Sequence, residues 1–211
     1  MFFMRNTHTR GITMHVRQTS RALALLVAIP LLLTGCGYNT IQTYDEAAAG
    51  AAHNIDAQLQ RRSDLIGNLV NTVKGVAQQE TDVYVGVAKA RAGLEGALHK
   101  TGGTDPAELA NANQQLTTAL GRMSVVVEAY PQLKSNENFM KLQDELTGTE
   151  NRIAVARTDY NATVKSYNEY IRKFPQTLTA KATGAKPRTY FEVTDAAARA
   201  APTVDFSKPK G

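Results

Sequence analysis

One cysteine, no tryptophan and no apolar run of membrane-spanning length are the first things this 211-residue chain lacks. The lone thiol, Cys36, cannot close an intramolecular disulfide, and no Cys-based zinc or iron site can be assembled around it. Proline is scarce where it would matter: between residues 40 and 173 it occurs only at Pro106 and Pro131, so long stretches are free to be helical. Excess charge is missing too, once the charges are located. The formal +5 includes Arg5, Arg10, Arg17 and Arg21, and removing these four from the 24 basic residues leaves 20 against 19 acidic ones. With no basic run interleaved with aromatics either, nucleic-acid binding is excluded as a reading. What remains is an ordinary globular composition, 43% hydrophobic and 20% charged, which excludes disorder throughout and suffices for one domain with a core.

Residues 1–35 carry those four arginines and no acid, and their apolar run, Ala22 to Leu33, is twelve residues long. A membrane span needs about 20 apolar residues, and Pro30 weakens this run further as a helix. The segment reads as a signal peptide, with Met4 and Met14 as alternative starts. It ends in Leu33-Thr34-Gly35-Cys36, which resembles the lipobox of bacterial lipoproteins, where cleavage precedes a cysteine whose thiol carries a diacylglycerol. The competing reading is an uncleaved anchor with an inert cysteine. Cys36 is therefore the expected lipidation site and residues 36–39 a lipidated tether. Two or three acyl chains would hold the domain stably where one would not.

From residue 40 to 175 apolar residues recur at intervals of three and four, the period of an amphipathic helix. Ile41, Tyr44, Ala48, Ala52, Ile55 and Leu59 form a first stripe; Leu65, Ile66, Leu69, Val70, Val73, Ala77, Tyr84, Val87 and Leu94 form a second. Five polar residues between them, 60 to 64, predict a turn or kink near Ser63 to Gly67; the alternative is one kinked helix over 40–99. Asp105-Pro106-Ala107-Glu108 has the cap, the proline at the first helical position and the acid of a helix start. The third stripe runs to Tyr130-Pro131. A fourth helix, opening near Ser135 or Asn136, has the most regular period: Phe139, Leu142, Leu146, Thr149, Ile153, Ala156, Tyr160, Val164, Tyr167, Ile171 and Phe174. Helices of about 25, 33, 25 and 38 residues would measure about 37, 50, 37 and 57 Å, which predicts an all-α fold, an antiparallel four-helix bundle. Residues 176–211 break the period and read as a mostly non-helical, extended C-terminal tail, docking through Tyr190-Phe191-x-Val193 and Val204-x-Phe206, with a turn or two of helix possible at 195–200.

Several ordered runs then carry a family resemblance: Tyr38-Asn39-x-Ile41, the whole of Gln58 to Gly75, Glu128 to Lys134, Asn136 to Phe139, Leu142 to Arg157, the Tyr-Asn pairs at 160 and 167, Phe174-Pro175 and Tyr190-Phe191-Glu192. Together they resemble the LemA family over essentially all of the chain after Cys36. The resemblance implies an all-helical antiparallel bundle tethered by its N-terminus outside the cytoplasm, in a family with no established enzymatic activity. The chain departs from the family pattern at Gly67, where many members have proline, at Ala52-His53, often Trp-Ser, and at Gln79, which replaces a common histidine before Glu80 and removes any acid/base or metal role for that pair.

Groups able to carry chemistry are sparse. His53 and His99, the two histidines after the signal segment, are 46 residues apart in no ligand spacing. Gly102-Gly103 has no strand before it, and Asp45-Glu46 and Asp144-Glu145 point about 100° apart on a helix. No catalytic residue, cofactor or metal is predicted. One constellation stands out: Arg61, Arg62, Asp64, Asn68 and Asn71 on the first stripes with Glu150, Asn151, Arg157, Asn161 and Asn168 on the last. Asn161 and Asn168 each follow a core tyrosine, so they flank the apolar seam and need partners, which the Arg61 to Asn71 group is placed to supply. A polar layer that fixes register is the structural reading, a binding groove the functional one. The sequence thus predicts a lipid-anchored, non-catalytic helical scaffold or adaptor of the bacterial envelope with an envelope protein as partner; the alternative is a small-molecule or peptide binder, or a weak hydrolase. Gly37 after the cysteine favours the outer membrane, facing the periplasm, over the inner.

Overall fold

The computed structural model describes the backbone of residues 10–100 and 105–193, and side chains from residue 37 onward. Among the described residues there are six helices and no strand: α1 (Arg10–Lys74), α2 (Thr81–Leu98), α3 (Pro106–Ala129), α4 (Pro131–Lys134), α5 (Glu137–Tyr170) and α6 (Gln176–Thr183). The fold is an all-helical bundle.

The turn expected near Ser63 to Gly67 does not exist. α1 runs unbroken through the polar run at 60–64, and through Pro30 before it. Its end comes at residues 75–80, where the Gly75 amide closes on the Asn71 carbonyl and those of Val76 and Ala77 on that of Val73. Gln and Arg are good helix formers, Gln60 pairs with Asp64 within the helix, and Arg61, Arg62 and Ser63 find partners on other helices, so nothing there interrupts the backbone. Neither a break at 63–67 nor a single helix over 40–99 is correct.

The starts of α3 and α5 follow local capping chemistry. Asp105 accepts from the Ala107 amide at 3.0 Å with Pro106 in the first helical position, and Asn136 accepts from the Phe139 amide at 3.0 Å. Tyr130-Pro131 separates α3 from the single turn of α4.

The described residues divide into two compact units: those up to 45 with 167–187, and those of 46–166 with the segment from 188 on. In the larger unit, one core draws on all four long helices: Ile55, Leu59, Ile66 and Val73 of α1, Tyr84, Val87 and Leu94 of α2, Leu109, Leu116 and Met123 of α3, Ile153, Tyr160 and Val164 of α5. Leu133 and Phe191 join it. In the smaller unit, Ile41, Tyr167, Ile171 and Ala180 form a separate cluster, flanked by Tyr44 and Tyr170 with ring centroids 5.2 Å apart.

Two features after residue 173 differ from the expected helical stripe through Phe174 and the mostly non-helical tail over 176–211. Residues 176–183 are helical, closed by Gly184 at φ 74°, a left-handed conformation that glycine adopts without cost. Phe174, placed on the buried stripe by its spacing, is 80% exposed, because α5 ends at Tyr170 and the period no longer applies to it. Phe191 is buried in the larger unit, with Tyr190 and Val193 packed beside it. Val204, Phe206 and the turn considered at 195–200 lie outside the described residues, as do residues 101–104 of the loop before α3.

Candidate functional site

Two adjacent residues of α1, Arg62 and Ser63, are buried although both are polar. Separated by about 100° around the helix, they recruit different neighbours. Arg62 donates through Nη1 to Asn113 Oδ1 at 2.6 Å and through Nη2 to Thr117 Oγ1 at 3.1 Å, both on α3. Its Nη2 also lies 2.7 Å from Glu150 Oε2 on α5. Ser63 donates to Glu95 Oε1 on α2 at 2.8 Å and accepts from Arg91 Nε at 3.1 Å, and Arg91 and Glu95 pair at 2.8 Å. Two consecutive positions thereby bind α1 to α2 on one side and to α3 and α5 on the other. Gly67, one turn further along, leaves room for Arg91: a β-carbon there would come within 2.9 Å of Arg91 Nη1.

Burial pushes the Arg62 pKa down, and the nearby Glu150 carboxylate pulls it partly back. The guanidinium stays charged, since an arginine cannot be deprotonated in this range. Its Nε finds no acceptor among the described residues. The arrangement is a charged bolt between helices.

The other members of the sequence-derived constellation distribute differently. Arg61 lies 3.7 Å from Glu145 on the surface. Asp64 is exposed and accepts from Gln60 at 3.1 Å. Asn68, Asn71 and Asn151 are exposed. Arg157 is exposed on the rim of a small cleft shared with Asn113, Thr117 and Glu150. Asn161 takes its partner from the C-terminal segment and not from α1: its Oδ1 accepts from the Phe191 amide at 2.8 Å and its Nδ2 donates to the Phe191 carbonyl at 3.3 Å. Next to it, Tyr160 donates to the Thr189 carbonyl at 2.8 Å. Asn168 is buried in the smaller unit. Of the expected layer, Arg62 and Glu150 come together; the sequence reading missed Asn113, Thr117, Ser63, Arg91 and Glu95. The four-residue spacing of Asn113 and Thr117, and of Arg91 and Glu95, was the available signal.

A separate cavity of about 190 Å³ lies where α1, α3, α5 and the 188–191 segment meet, lined by Ala52, Ile55, Leu109 and Phe191 with His53, Asp56, Tyr160 and Arg188 among its polar groups. Burial pushes the Asp56 pKa up, and the neighbouring His53 opposes this. Among the described residues, no three His, Cys, Asp or Glu side chains gather to hold a metal, and no helix is long and apolar enough to cross a membrane.

The family model of the LemA family matches residues 51–206. The chain belongs to the LemA family. The matched span of this LemA-family chain contains both polar clusters and the Asn161–Phe191 clamp. Among curated proteins it is similar to Magnetosome protein MamQ 2 and Magnetosome protein MamQ 1 of Paramagnetospirillum magneticum, each 31% identical over 198 residues, covering 84% of this chain and 72% of the relative. It is also similar to Magnetosome protein MamQ of Magnetospirillum gryphiswaldense, 30% identical over 190 residues, with 80% of this chain and 69% of the relative covered.

Proposed function

We propose that this LemA-family chain is a membrane-tethered lipoprotein of the bacterial envelope whose helical body acts as a non-catalytic scaffold or adaptor for an envelope protein. The observation that carries the reading is Leu33-Thr34-Gly35-Cys36 at the close of a twelve-residue apolar run. That run is too short to span a bilayer and ends at the only thiol in the chain. In this reading Cys36 becomes the acylated N-terminus, residues 36–39 the tether, and the body faces the periplasm, from the outer membrane in preference to the inner. Support for a scaffold comes from the way Arg62, Ser63, Arg91, Glu95 and Glu150 are engaged with one another: such groups stiffen a bundle and fix its register. The likeness to proteins named for the magnetosome is compatible with work at a membrane.

The cavity at His53, Asp56, Tyr160 and Arg188 favours a second reading, a small-molecule or peptide binder, because it joins apolar walls to groups of both charges. Labelled palmitate supplied to cells producing the full chain, or its Cys36→Ser variant, tests the anchor: incorporation into the natural chain and none into the variant is expected, and label retained by the variant sinks the lipoprotein reading. Crosslinking in intact cells, run beside a thermal-shift screen of metabolites, tests the body. A reproducible crosslinked envelope protein supports the scaffold, whereas a stabilising metabolite with no crosslinked protein supports the binder.

A further inference from the structure

The smaller unit exposes apolar and basic side chains that its own core does not use. Its cluster of Ile41, Tyr167, Ile171 and Ala180 is closed, yet Phe174 is 80% exposed, Leu178 55% and Tyr38 45%. Soluble surfaces carry single exposed apolar residues without consequence; these three belong to one small unit. Gly37, which directly follows Cys36, is buried, and a β-carbon on it would stand 3.5 Å from Thr179 Oγ1 and 3.7 Å from Gln176 Cγ. The residue after the expected anchor therefore abuts α6, the helix that bears Leu178, while Tyr38 is its chain neighbour and Phe174 sits just before that helix. Lys181 and Ala182, three and four residues beyond Leu178, share its side of α6.

The charge of this face differs from that of the rest. Arg172, Lys173, Lys181 and Lys186 are all exposed, against two acids among the described residues of the unit, Glu169 and the half-buried Asp45. Exposed aromatic and aliphatic side chains in a segment rich in exposed lysine and arginine are the composition of a surface that lies in a lipid interface, with the apolar groups at the acyl boundary and the cations among anionic headgroups. We propose that Tyr38, Phe174 and Leu178, with Arg172, Lys173, Lys181 and Lys186, form a membrane-contact face that rests on an anionic phospholipid surface. This deepens the tethered reading, and depends on it only for what brings the face to the bilayer.

The absence of tryptophan allows a direct test. Full chains carrying Phe174→Trp, Leu178→Trp or, as control, Val155→Trp at an exposed site on α5 of the larger unit each hold one indole. They would be reconstituted into vesicles of phosphatidylglycerol with phosphatidylcholine, or of phosphatidylcholine alone, with and without brominated acyl chains, after circular dichroism has shown helix content unchanged. The expected result is a blue-shifted emission quenched at least twofold by brominated lipid at positions 174 and 178, strongest with phosphatidylglycerol and reduced by salt, with little quenching at 155. Equal quenching in both lipid mixtures would overturn the anionic surface, and quenching no greater than at 155 would overturn the contact. A blue shift that grows with protein concentration without bromolipid quenching would give the face to a second copy of the chain and overturn it as well. Palmitate incorporation at Cys36 is read separately, so loss of the anchor and loss of this contact give different results.

Discussion

Arg62 of α1 and Glu150 of α5 meet at 2.7 Å with the arginine side chain only 5% exposed and the carboxylate 51% exposed, so the pair joins a buried cation to an anion that stays half in water. Breaking a fully buried pair from one side costs about 3 to 5 kcal/mol. Glu150→Ala strands the guanidinium, but water reaches the vacated side, and a loss of about 1 to 3 kcal/mol is expected. Arg62→Met, which removes the charge and keeps the length of the side chain, should cost less than Glu150→Ala. Urea melts with unchanged m-values would show the order; the reverse order would mean that the pair itself stabilises more than burial of the charge costs.

Ile153 tests the apolar seam. It is buried on α5, whereas Val155, two residues on, is 61% exposed. Truncation of Ile153 to Ala removes buried methylenes and leaves a cavity, for a loss of about 2 to 5 kcal/mol. Val155→Ala should stay within about 0.5 kcal/mol. Comparable effects at the two positions, in the same melts, would remove the seam from the account of the fold.

The helical stripes of α3 and α5 were legible because their apolar period is unbroken and because Asp105-Pro106 and Asn136 mark their starts with side chains that cap. The long α1 was misread at residues 60–64, since a polar run looks like a surface turn until Arg62 and Ser63 are seen to be buried against three other helices. That knowledge is tertiary. α6 escaped notice because eight residues between Pro175 and Gly184 offer too little period to register. Within the site, the arginine and glutamate were visible as charges near the seam. Asn113 and Thr117 were not, because polar residues on a helix ordinarily face water, and only the approach of Arg62 turns them into partners.

Asn161 holds the segment after α6 by both main-chain groups of Phe191. Asn161→Asp keeps the acceptor for the Phe191 amide and loses the donor to its carbonyl; Asn161→Leu loses both. A graded loss is expected, with Leu costing about 1 to 3 kcal/mol and Asp less. Hydrogen exchange gives a local reading: the Phe191 amide should lose protection in Asn161→Leu, while those of Val87 and Leu94 in α2 stay protected. Uniform loss across the chain would show that the clamp cannot be separated from the global fold.

Asp56 sets the last expectation, a dependence of stability on pH. Burial beside the cavity raises its pKa above the ordinary carboxylate value, and His53, 4.0 Å away and itself mostly exposed, only partly offsets this. The folded protein therefore binds the Asp56 proton more tightly than the unfolded chain does. Below about pH 4, the unfolded value, both states are protonated and the residue makes no difference. As pH rises from the unfolded value to the raised folded one, the unfolded state ionises while the folded state resists placing a charge on this half-buried carboxyl, and stability falls until the folded value is passed. Asp56→Asn removes that penalty, so the variant should melt higher than the natural chain at pH 7, with the gap closing as pH falls towards about 4. His53→Ala, which takes away the neighbour that partly offsets the burial, should raise the Asp56 pKa further, so that the fall in stability starts at the same unfolded value but continues to higher pH and the gap at pH 7 widens. Thermal midpoints of the three proteins between about pH 3.5 and 7.5, paired with a carboxyl-carbon NMR titration of Asp56, would measure both effects. A gap independent of pH would mean that Asp56 titrates alike in the folded and unfolded states, and an Asn variant less stable at pH 7 would mean that the carboxylate is held by a stabilising partner when charged, so that the cavity would have to be redrawn as a site already balanced for an anion.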